Sequence, residues 1–226
     1  MIKDKSLVIG IDEAGRGPVI GNMFIVCLGV SRNYLSKLIK IGVRDSKKLT
    51  PKKRSELAPK ISQLAKIMIV ESVAPKYIDT HNINIIFAQF IIESLEMILS
   101  TGMKVRQIFI DAVSGKKFRD MILKYIRSQD SSISVHIEPR ADEKYPVVAA
   151  ASIIAKYLRD AHVRKLHMVY GNFGSGYPSD PRTVEWLSKY LNKNELPPVV
   201  RRSWSTLKRL GILRDGEGLE KWFKLK

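Results

Sequence analysis

The sequence contains a single cysteine, Cys27, which lies inside an apolar run. One thiol cannot build a disulfide framework or a cysteine-based zinc site, so we interpret Cys27 as a small core residue. Covalent catalysis also lacks support, because there is no Gly-x-Ser-x-Gly segment and no cysteine–histidine pair. The four histidines show no pairing motif, and we interpret them as surface or packing residues (His81, His136, His162 and His167).

Acidic residues are scarce relative to basic ones. The 226 residues include 39 Lys and Arg but only 22 Asp and Glu, which gives a formal net charge of +17. Such a surplus favours a polyanionic partner, although a general adaptation for solubility would produce the same balance. The apolar fraction of 45% is in the ordinary globular range, and the length is ample for a sizeable core.

No segment has the features of a signal peptide or of a membrane span. The N-terminus reaches the acidic Asp4 almost at once. The most apolar predicted helix, Asn84–Leu99, is short for a bilayer and carries Gln89, Glu93 and Glu96. We therefore expect a soluble cytoplasmic protein that does not associate with membranes.

Hydrophobic periodicity predicts an α/β protein. The predicted strands are Leu7–Ile11, Gly21–Val30, Lys66–Val73, Gln107–Ile110 and Ser134–Glu138. The predicted helices are Arg32–Lys40, Pro51–Ala65 (kinked or broken at Pro59), Asn84–Leu99, Lys116–Arg127, Val147–Val169, Pro181–Leu191 and Ser203–Leu213. This order indicates a mixed sheet with helices on both faces. Pro197-Pro198 suggests a boundary between a main domain, residues 1–198, and a basic helical C-terminal appendage, residues 199–226.

Four acidic residues lie where predicted strands end: Asp12, Glu13, Asp111 and Asp142. Strand ends are where ligand groups converge in α/β sheets. Several carboxylates packed together would repel one another unless a divalent cation lay between them, and oxygen ligands suit Mg²⁺ or Mn²⁺. A single Asp at a strand end is more often a solvated turn residue. That alternative is weaker for Asp12, which directly continues a buried strand.

A glycine-rich turn, Gly15-Arg16-Gly17-Pro18, follows the acidic pair. Two glycines allow the backbone to approach a ligand closely. The spacing also resembles a degenerate dinucleotide-binding turn. Against that alternative, a pyrophosphate would lie beside Asp12 and Glu13, and Pro18 lacks the N–H that a phosphate site needs. A purely structural turn is the other alternative.

Several blocks of the sequence together resemble type 2 ribonuclease H (ribonuclease HII). They span roughly residues 7 to 206 in the family's order and spacing, which makes the resemblance specific. The blocks are Asp12–Pro18, Asp45–Leu49, Ile110-Asp111, Ala141–Pro146, Ala149–Lys156 and Gly174–Asp180. The form of the last block, together with Arg202-Ser203-Trp204, is more similar to the archaeal and eukaryotic branch than to the bacterial one.

The resemblance implies a ribonuclease H-like fold, with a central mixed five-stranded sheet flanked by helices, in residues 1–198. It implies an endonuclease that cuts 5′ to a ribonucleotide, in RNA/DNA hybrids and at single ribonucleotides in duplex DNA, for ribonucleotide excision repair and RNA primer removal. The products would carry a 3′-hydroxyl and a 5′-phosphate. It assigns catalysis and metal binding to Asp12, Glu13, Asp111 and Asp142. We expect two metal ions about 4 Å apart, bridged by Asp12.

The resemblance also implies how a ribonucleotide is recognised. Gly15, Arg16 and Gly17 match the segment that senses the ribose 2′-hydroxyl through its backbone, and Tyr177 matches the tyrosine that stacks on the following sugar. Without the resemblance, a tyrosine in a Gly-Pro loop would more simply be a cap on the core.

Substrate phosphates offer partners for part of the positive charge. Lys47 and Lys156 are predicted to contact phosphates because each lies in a family block. Ser152 is predicted to donate a hydrogen bond to the substrate. Most of the other basic residues are expected to be solvated. If several phosphates are held, affinity for nucleic acid should fall steeply between about 50 and 200 mM salt.

The C-terminal tail contains Leu219, Trp222 and Phe223, a spacing that resembles the motif that docks on replication sliding clamps. The usual glutamine is absent, since Gly216 stands in its place. An amphipathic cap packed on the protein body explains the same residues, and we favour that alternative. We expect a monomer.

Overall fold

The computed structural model describes residues 6–43, 49–112, 115–191 and 195–213. Its strands are β1 (Leu7–Ala14), β2 (Met23–Ser31), β3 (Ile67–Val73), β4 (Val105–Asp111) and β5 (Ser134–Glu138). Its α-helices are α1 (Leu35–Lys40), α2 (Pro51–Leu64), α3 (Pro75–Thr80), α4 (Ile83–Ser100), α5 (Lys116–Gln129), α6 (Ala141–Lys144), α7 (Pro146–Tyr170), α8 (Pro181–Ser188) and α9 (Ser205–Arg209). A short 3₁₀ helix, Arg32–Tyr34, precedes α1.

The five strands form one mixed sheet in the order β3-β2-β1-β4-β5. Strand β1 runs antiparallel to β2 and parallel to β4, and β4 runs parallel to β5. The predicted mixed five-stranded sheet with flanking helices is therefore confirmed. Because β1, β4 and β5 are parallel neighbours, their carboxyl ends meet at one edge of the sheet.

The alanine-rich start of α7 lies directly against β1. A Cβ atom on Gly10 would be 2.4 Å from the backbone carbonyl of Val147, so a side chain at position 10 would push the helix away. The small residues Ala149, Ala150 and Ala151 are all buried in the same region. This close approach fixes the first turns of α7 beside the strand that carries Asp12.

Several helices differ from the predictions. Helix α2 continues through Pro59 and is not broken, because the carbonyl left without a partner belongs to the exposed Ser55, where water can satisfy it. The predicted helix Ser203–Leu213 is shorter: α9 ends at Arg209, and Gly211 has a φ of +68°. The short helices α3 and α6 were not predicted.

Contacts among the described residues divide the chain into two units. The first is formed by Met1–Ala14, Phe24–Glu71 and Ile83–Leu158, and the second by Gly15–Met23, Ser72–Asn82 and Arg159–Lys226. Each has its own apolar core: the first includes Val8, Val26, Leu57 and Ile153, and the second includes Ile20, Phe173, Trp186 and Leu207. The predicted boundary after residue 198 falls inside the second unit.

Helix α4 is the one helix among the described residues that is long and apolar enough to cross a membrane by composition, with a mean hydropathy of 1.6. Its buried residues, which include Phe87, Phe90 and Ile91, face the interior of the protein. Burial of this kind is what a core helix shows, so α4 gives only weak evidence for a membrane span.

Candidate active site

Three carboxylates meet at the edge where β1, β4 and β5 end. Asp12 lies on β1, Asp111 is the last residue of β4, and Asp142 lies on α6, just after β5. One carboxylate oxygen from each can be chosen so that all three oxygens lie within 4.8 Å of one another. The parallel pairing of β1 with β4, and of β4 with β5, therefore brings together acids that are up to 130 residues apart in the sequence.

Backbone amides hold the Asp111 carboxylate in place. Its Oδ1 accepts a hydrogen bond from the Arg140 N–H at 3.1 Å, and its Oδ2 accepts one from the Asp142 N–H at 3.3 Å. Arg140 has a φ of +59° and is the one described non-glycine residue with positive φ. The left-handed conformation at Arg140 thus accompanies a turn that ties Asp111 to the segment carrying Asp142.

The pKa values of two of the three acids, Asp12 and Asp111, are shifted in the direction that disfavours their ionised forms. Burial, and then the charge of Glu13, raise the pKa of Asp12 well above its usual range. Burial, and then hydrogen bonding with Asp142, raise the pKa of Asp111 to about 6. A divalent cation would favour the ionised forms and relieve the repulsion. The donor set consists of hard carboxylate oxygens, which fit Mg²⁺ or Mn²⁺.

Glu13 lies beside this group but is not part of it. Successive residues on a strand point to opposite faces, and Glu13 directly follows Asp12 on β1. Its N–H donates to Asp12 Oδ1 at 2.7 Å, and its charge acts on the Asp12 carboxylate. Among the described residues, the set of oxygens mutually within 4.8 Å contains Asp12, Asp111 and Asp142 alone. The assignment of Glu13 as a fourth ligand therefore stays a prediction.

Two residues of α7 support the carboxylates. Ser152 is fully buried, and its hydroxyl donates to the Asp12 carboxylate. The Lys156 ammonium donates to Ser152 Oγ at 3.0 Å and lies 4.0 Å from Asp142 Oδ2. Their four-residue spacing puts both on one face of the helix. Ser152 has no exposed surface, whereas the Lys156 side chain keeps 25% of its surface exposed. The predicted hydrogen bond from Ser152 to the substrate stays a prediction.

Replacing Ser152 with Ala should weaken divalent-metal binding by about tenfold, because groups that orient a ligand contribute on this scale. Loss of the hydroxyl also removes an interaction that lowers the pKa of Asp12. Titration calorimetry with Mg²⁺ or Mn²⁺ measures the change. Ser94→Ala, in another buried serine of the same unit, is the matched control. Equal affinities for Ser152→Ala and the wild type would contradict this prediction.

The glycine-rich turn belongs to the second unit. Gly15 has a φ of +89°, and a Cβ atom there would lie 2.8 Å from the carbonyl oxygen of Asn22. Only glycine meets both conditions without strain. Gly15 is buried, whereas Gly17 is exposed, so the turn reaches the surface at its end.

Tyr177 lies next to this turn, in the loop that follows α7. A Cβ atom on Gly17 would be 3.4 Å from Tyr177 Cε1. The Arg159 guanidinium lies 4.8 Å from the centre of the Tyr177 ring, a cation–π distance. Gly176 O accepts a hydrogen bond from the Val19 N–H at 2.8 Å, which ties the loop to the residues after the turn. The Tyr177 side chain keeps 37% of its surface exposed.

Comparison with known proteins identifies the family. The family model described as Ribonuclease HII matches residues 9–207. The chain belongs to the ribonuclease HII family. A ribonuclease HII from Hyperthermus butylicus is 43% identical over 208 residues, which cover 89% of this chain and 83% of that protein. The ribonuclease HII of Pyrococcus horikoshii is 41% identical, with coverage of 90% and 92%.

Solved structures of ribonucleases H have the same fold. Ribonuclease H2 from Pyrococcus horikoshii superposes with a TM-score of 0.78 at 39% identity and covers 96% of this chain and 99% of that one. The structure described as the PCNA:RNase HII complex from Archaeoglobus fulgidus gives 0.76 at 36% identity, with coverage of 90% and 96%. A Bst-RNase HIII structure in complex with Mn²⁺ gives 0.74 at 21% identity and shows likeness of fold alone.

The protein is thus a nucleic-acid-cleaving enzyme, an endonuclease of the ribonuclease H type. The predicted family and the predicted ribonuclease H-like fold are confirmed, and the relatives are mostly archaeal, as the sequence resemblance indicated. The family depends on divalent metal, which agrees with the cluster of Asp12, Asp111 and Asp142.

Sequence reasoning missed the structural role of Arg201. This arginine is fully buried, and its guanidinium donates to backbone carbonyls of the glycine-rich turn. Burial lowers the pKa of Arg201 to about 10, which leaves it charged at neutral pH. The neighbouring Arg202-Ser203-Trp204 resemblance was a signal, but it indicated only the branch of the family.

Some predicted residues lie outside the described ones. Lys47, a predicted phosphate contact, is in the undescribed residues 44–48. The tail residues Leu219, Trp222 and Phe223 are in the undescribed residues 214–226. Their assignments stay predictions.

Proposed function

We propose that this protein hydrolyses the phosphodiester bond 5′ to a ribonucleotide, in RNA/DNA hybrids and at single ribonucleotides in duplex DNA. It would leave a 3′-hydroxyl and a 5′-phosphate, and serve ribonucleotide excision repair and RNA primer removal. The observation that carries the proposal is the convergence of Asp12, Asp111 and Asp142 to within 4.8 Å in a chain of this family. The net charge of +17 suits a polyanionic duplex.

The proposed catalytic and metal-binding residues are Asp12, Glu13, Asp111 and Asp142, and the proposed ions are Mg²⁺ or Mn²⁺. Divalent ions held by these residues would activate the attacking water and stabilise the leaving oxygen of an in-line displacement. Asp12 is the natural shared ligand, because it is buried, adjacent to Glu13 and grouped with both other aspartates. Ser152 keeps the Asp12 carboxylate oriented, and Lys156 offsets the negative charge of Asp142.

The proposed ribonucleotide-sensing residues are Gly15, Arg16 and Gly17, through their backbone, and Tyr177, through its ring. The 2′-hydroxyl is the group that separates RNA from DNA at a given position. Gly17 is exposed, and Tyr177 lies beside it with its ring held against Arg159. An exposed aromatic ring held in this way is suited to stacking on a nucleotide.

Phosphate binding is proposed for Lys47 and Lys156. The exposed fraction of the Lys156 side chain leaves part of it accessible, although its ammonium also contacts Ser152. For Lys47 the support is its place in the Asp45–Leu49 block. These contacts fix the register of the duplex without reading its sequence.

Clamp docking is proposed for Leu219, Trp222 and Phe223. The related Archaeoglobus fulgidus protein has been solved in a structure described as a PCNA:RNase HII complex. The alternative for these residues is an amphipathic cap on the protein body. We also propose that the protein acts as a monomer in the cytoplasm.

Removing Gly216–Lys226 is expected to abolish binding to a purified sliding clamp while duplex cleavage is retained, because the proposed anchors are lost and the four acids are not. A pull-down measures clamp binding. The pair of changes Trp222→Ala and Phe223→Ala should give the same loss, and Glu220→Ala, between the anchors, should not. Unaltered clamp binding after truncation would end this proposal.

One assay tests the main proposal. A labelled DNA duplex carrying a single ribonucleotide is incubated with Mg²⁺, with Mn²⁺ or with EDTA. We expect a cut on the 5′ side of the ribonucleotide with either metal and no cut with EDTA. Binding without a cut under all three conditions, or cutting that does not depend on the ribonucleotide, would contradict the proposal.

A further inference from the structure

Arg201 holds the carbonyl groups of the glycine-rich turn. Its Nη2 donates to Gly15 O at 2.6 Å, its Nη1 to Arg16 O at 2.9 Å, and its Nε to Gly21 O at 2.9 Å. The side chain is fully buried, and a buried charge is costly without partners. Three convergent carbonyl dipoles supply those partners through charge-assisted hydrogen bonds.

Trp204 completes the set from the same segment. Its indole Nε1 donates to Gly17 O at 3.0 Å. The Arg201 guanidinium lies 4.9 Å from the centre of the Trp204 ring, so the two side chains also contact each other. All three carbonyls of residues 15–17 are therefore bound by two side chains of residues 201–204.

These contacts determine where the amides of the turn point. No described peptide bond is cis, and in a trans peptide the C=O and the following N–H point in opposite directions. With the carbonyls of Gly15 and Arg16 directed at Arg201, the N–H groups of Arg16 and Gly17 are directed away from it. The peptide bond between Gly17 and Pro18 differs, because Pro18 has no N–H. Its carbonyl, that of Gly17, accepts the hydrogen bond from Trp204, and no N–H group points in the opposite direction.

The segment that carries both side chains is itself anchored. Asp79, at the end of α3, accepts hydrogen bonds from the N–H of Arg202 at 2.8 Å and from the N–H and hydroxyl of Ser203 at 2.9 and 2.7 Å. The Arg201 N–H donates to Val19 O at 2.8 Å. Rigid support of this kind is what a recognition element needs to keep a fixed hydrogen-bond geometry.

We propose that Arg201 and Trp204 are positioning residues that set ribonucleotide selectivity by fixing the peptide planes of the Gly15–Gly17 turn. The inference rests on the proposed role of this turn in sensing the 2′-hydroxyl. A site built to hydrogen-bond a substrate hydroxyl rejects the analogue that lacks it, provided the site groups keep their directions. Lysine cannot replace Arg201, because a single ammonium does not reproduce the planar fork that spans three carbonyls.

The test compares two duplexes of one sequence, one with a single ribonucleotide and one entirely of DNA. The selectivity is the ratio of their dissociation constants, measured by fluorescence anisotropy in EDTA. We expect Arg201→Lys to bring this ratio close to one while the affinity for the all-DNA duplex is unchanged, because phosphate contacts do not depend on the turn. With metal, kcat on the ribonucleotide duplex should fall at least about tenfold, as small misplacements cost this much or more.

Trp204→Phe is the second variant, because it keeps an aromatic ring and removes the donor to Gly17 O. Its matched control is Trp186→Phe, which removes an indole hydrogen bond to Tyr170 O of 2.9 Å in the same unit. We expect Trp204→Phe to lower the selectivity and Trp186→Phe to keep the wild-type ratio. If thermal unfolding shows that Arg201→Lys does not fold, the comparison of Trp204→Phe with Trp186→Phe tests the inference instead.

The outcomes separate this inference from the proposed function. A wild-type ratio of one would remove the sensing role of the turn, and the inference with it. A selective wild type, together with a folded Arg201→Lys that is equally selective, would overturn the inference and leave the role of the turn intact. An equal loss in Trp204→Phe and Trp186→Phe would also overturn it, since the effect would then be one of general packing.

Discussion

Asp12→Asn is expected to lower the rate of cleavage by at least about a thousandfold while binding to the duplex is kept. Asparagine has the shape of aspartate and can accept the same hydrogen bonds from Glu13 N–H and from Ser152, so the fold should be preserved. It cannot supply an anionic oxygen to a divalent ion. The stabilisation that a metal gives is several kcal/mol, and each factor of ten in rate is about 1.4 kcal/mol. Single-turnover cleavage of a ribonucleotide-containing duplex measures the loss.

The same change should stabilise the protein when metal is absent. Burial and the charge of Glu13 raise the folded-state pKa of Asp12, so its contribution to stability is present at low pH and is lost as the pH rises. Above the pKa that this acid has in the unfolded chain, Asp12 therefore destabilises the metal-free protein. Removing about 1 kcal/mol of this cost would raise the Tm by about 2–4 °C in a chain of this size.

Excess Mg²⁺ should reverse the order of stability, because ligand binding stabilises only a protein that has an intact site. Asp120→Asn is the matched control: it makes the same change of charge at an exposed position on α5 and should alter neither cleavage nor the response to metal. Full activity in Asp12→Asn would refute the assignment of the site. A lower Tm for Asp12→Asn than for the wild type in EDTA would contradict the electrostatic argument.

The sheet and its acidic edge could be predicted because their signals are local. Strand β1 is an apolar run followed by Asp12, and β4 is an apolar run that ends at Asp111. Because strands alternate with helices along the chain, parallel strands are expected to lie side by side with their carboxyl ends at one edge of the sheet. The extension of β1 to Ala14, past two acids, could not be predicted, because it depends on pairing with β2 across the sheet.

The contacts that support the candidate site were hidden from the sequence, because they join distant residues. The Arg201 side chain donates to a carbonyl 180 positions away in the chain, and nothing in its basic neighbourhood distinguishes it from a solvated arginine. Ser152 was noticed through the resemblance, but its burial and its hydrogen bond to Asp12 depend on how α7 packs on β1. A motif identifies residue types, whereas the direction of each side chain is set by tertiary packing.

Local sequence propensity also failed to predict helices α2 and α6 correctly, because tertiary contacts determine their structure. Pro59 lies inside α2, where Leu57, Ala58 and Ile61 are buried and stabilise the helix on the opposite side. Helix α6 has four residues, and its start depends on the left-handed Arg140, which no propensity scale indicates. That short helix carries Asp142, so a part of the candidate site formed where sequence rules are weakest.

Tyr177 has the second large expected effect, for a reason that differs from that of Asp12. Its ring is 37% exposed and lies against Gly17 on one side and near the Arg159 guanidinium. Removing an exposed ring costs little stability, whereas stacking on a base or sugar contributes about 1–3 kcal/mol. Activity and folding should therefore respond differently to a change at this position.

Tyr177→Ala is expected to lower kcat/KM on a single-ribonucleotide duplex by about 10- to 100-fold and to reduce the preference for the ribonucleotide junction, with the Tm unchanged. Tyr177→Phe keeps the ring and should retain most of the activity, which separates stacking from the hydroxyl group. Tyr77→Ala is the matched control, because Tyr77 is an exposed tyrosine of the same unit whose ring also stacks on a neighbour, His81. Steady-state kinetics on the four proteins give the comparison. A rate for Tyr177→Ala equal to that of Tyr77→Ala would show that the ring takes no part in recognition.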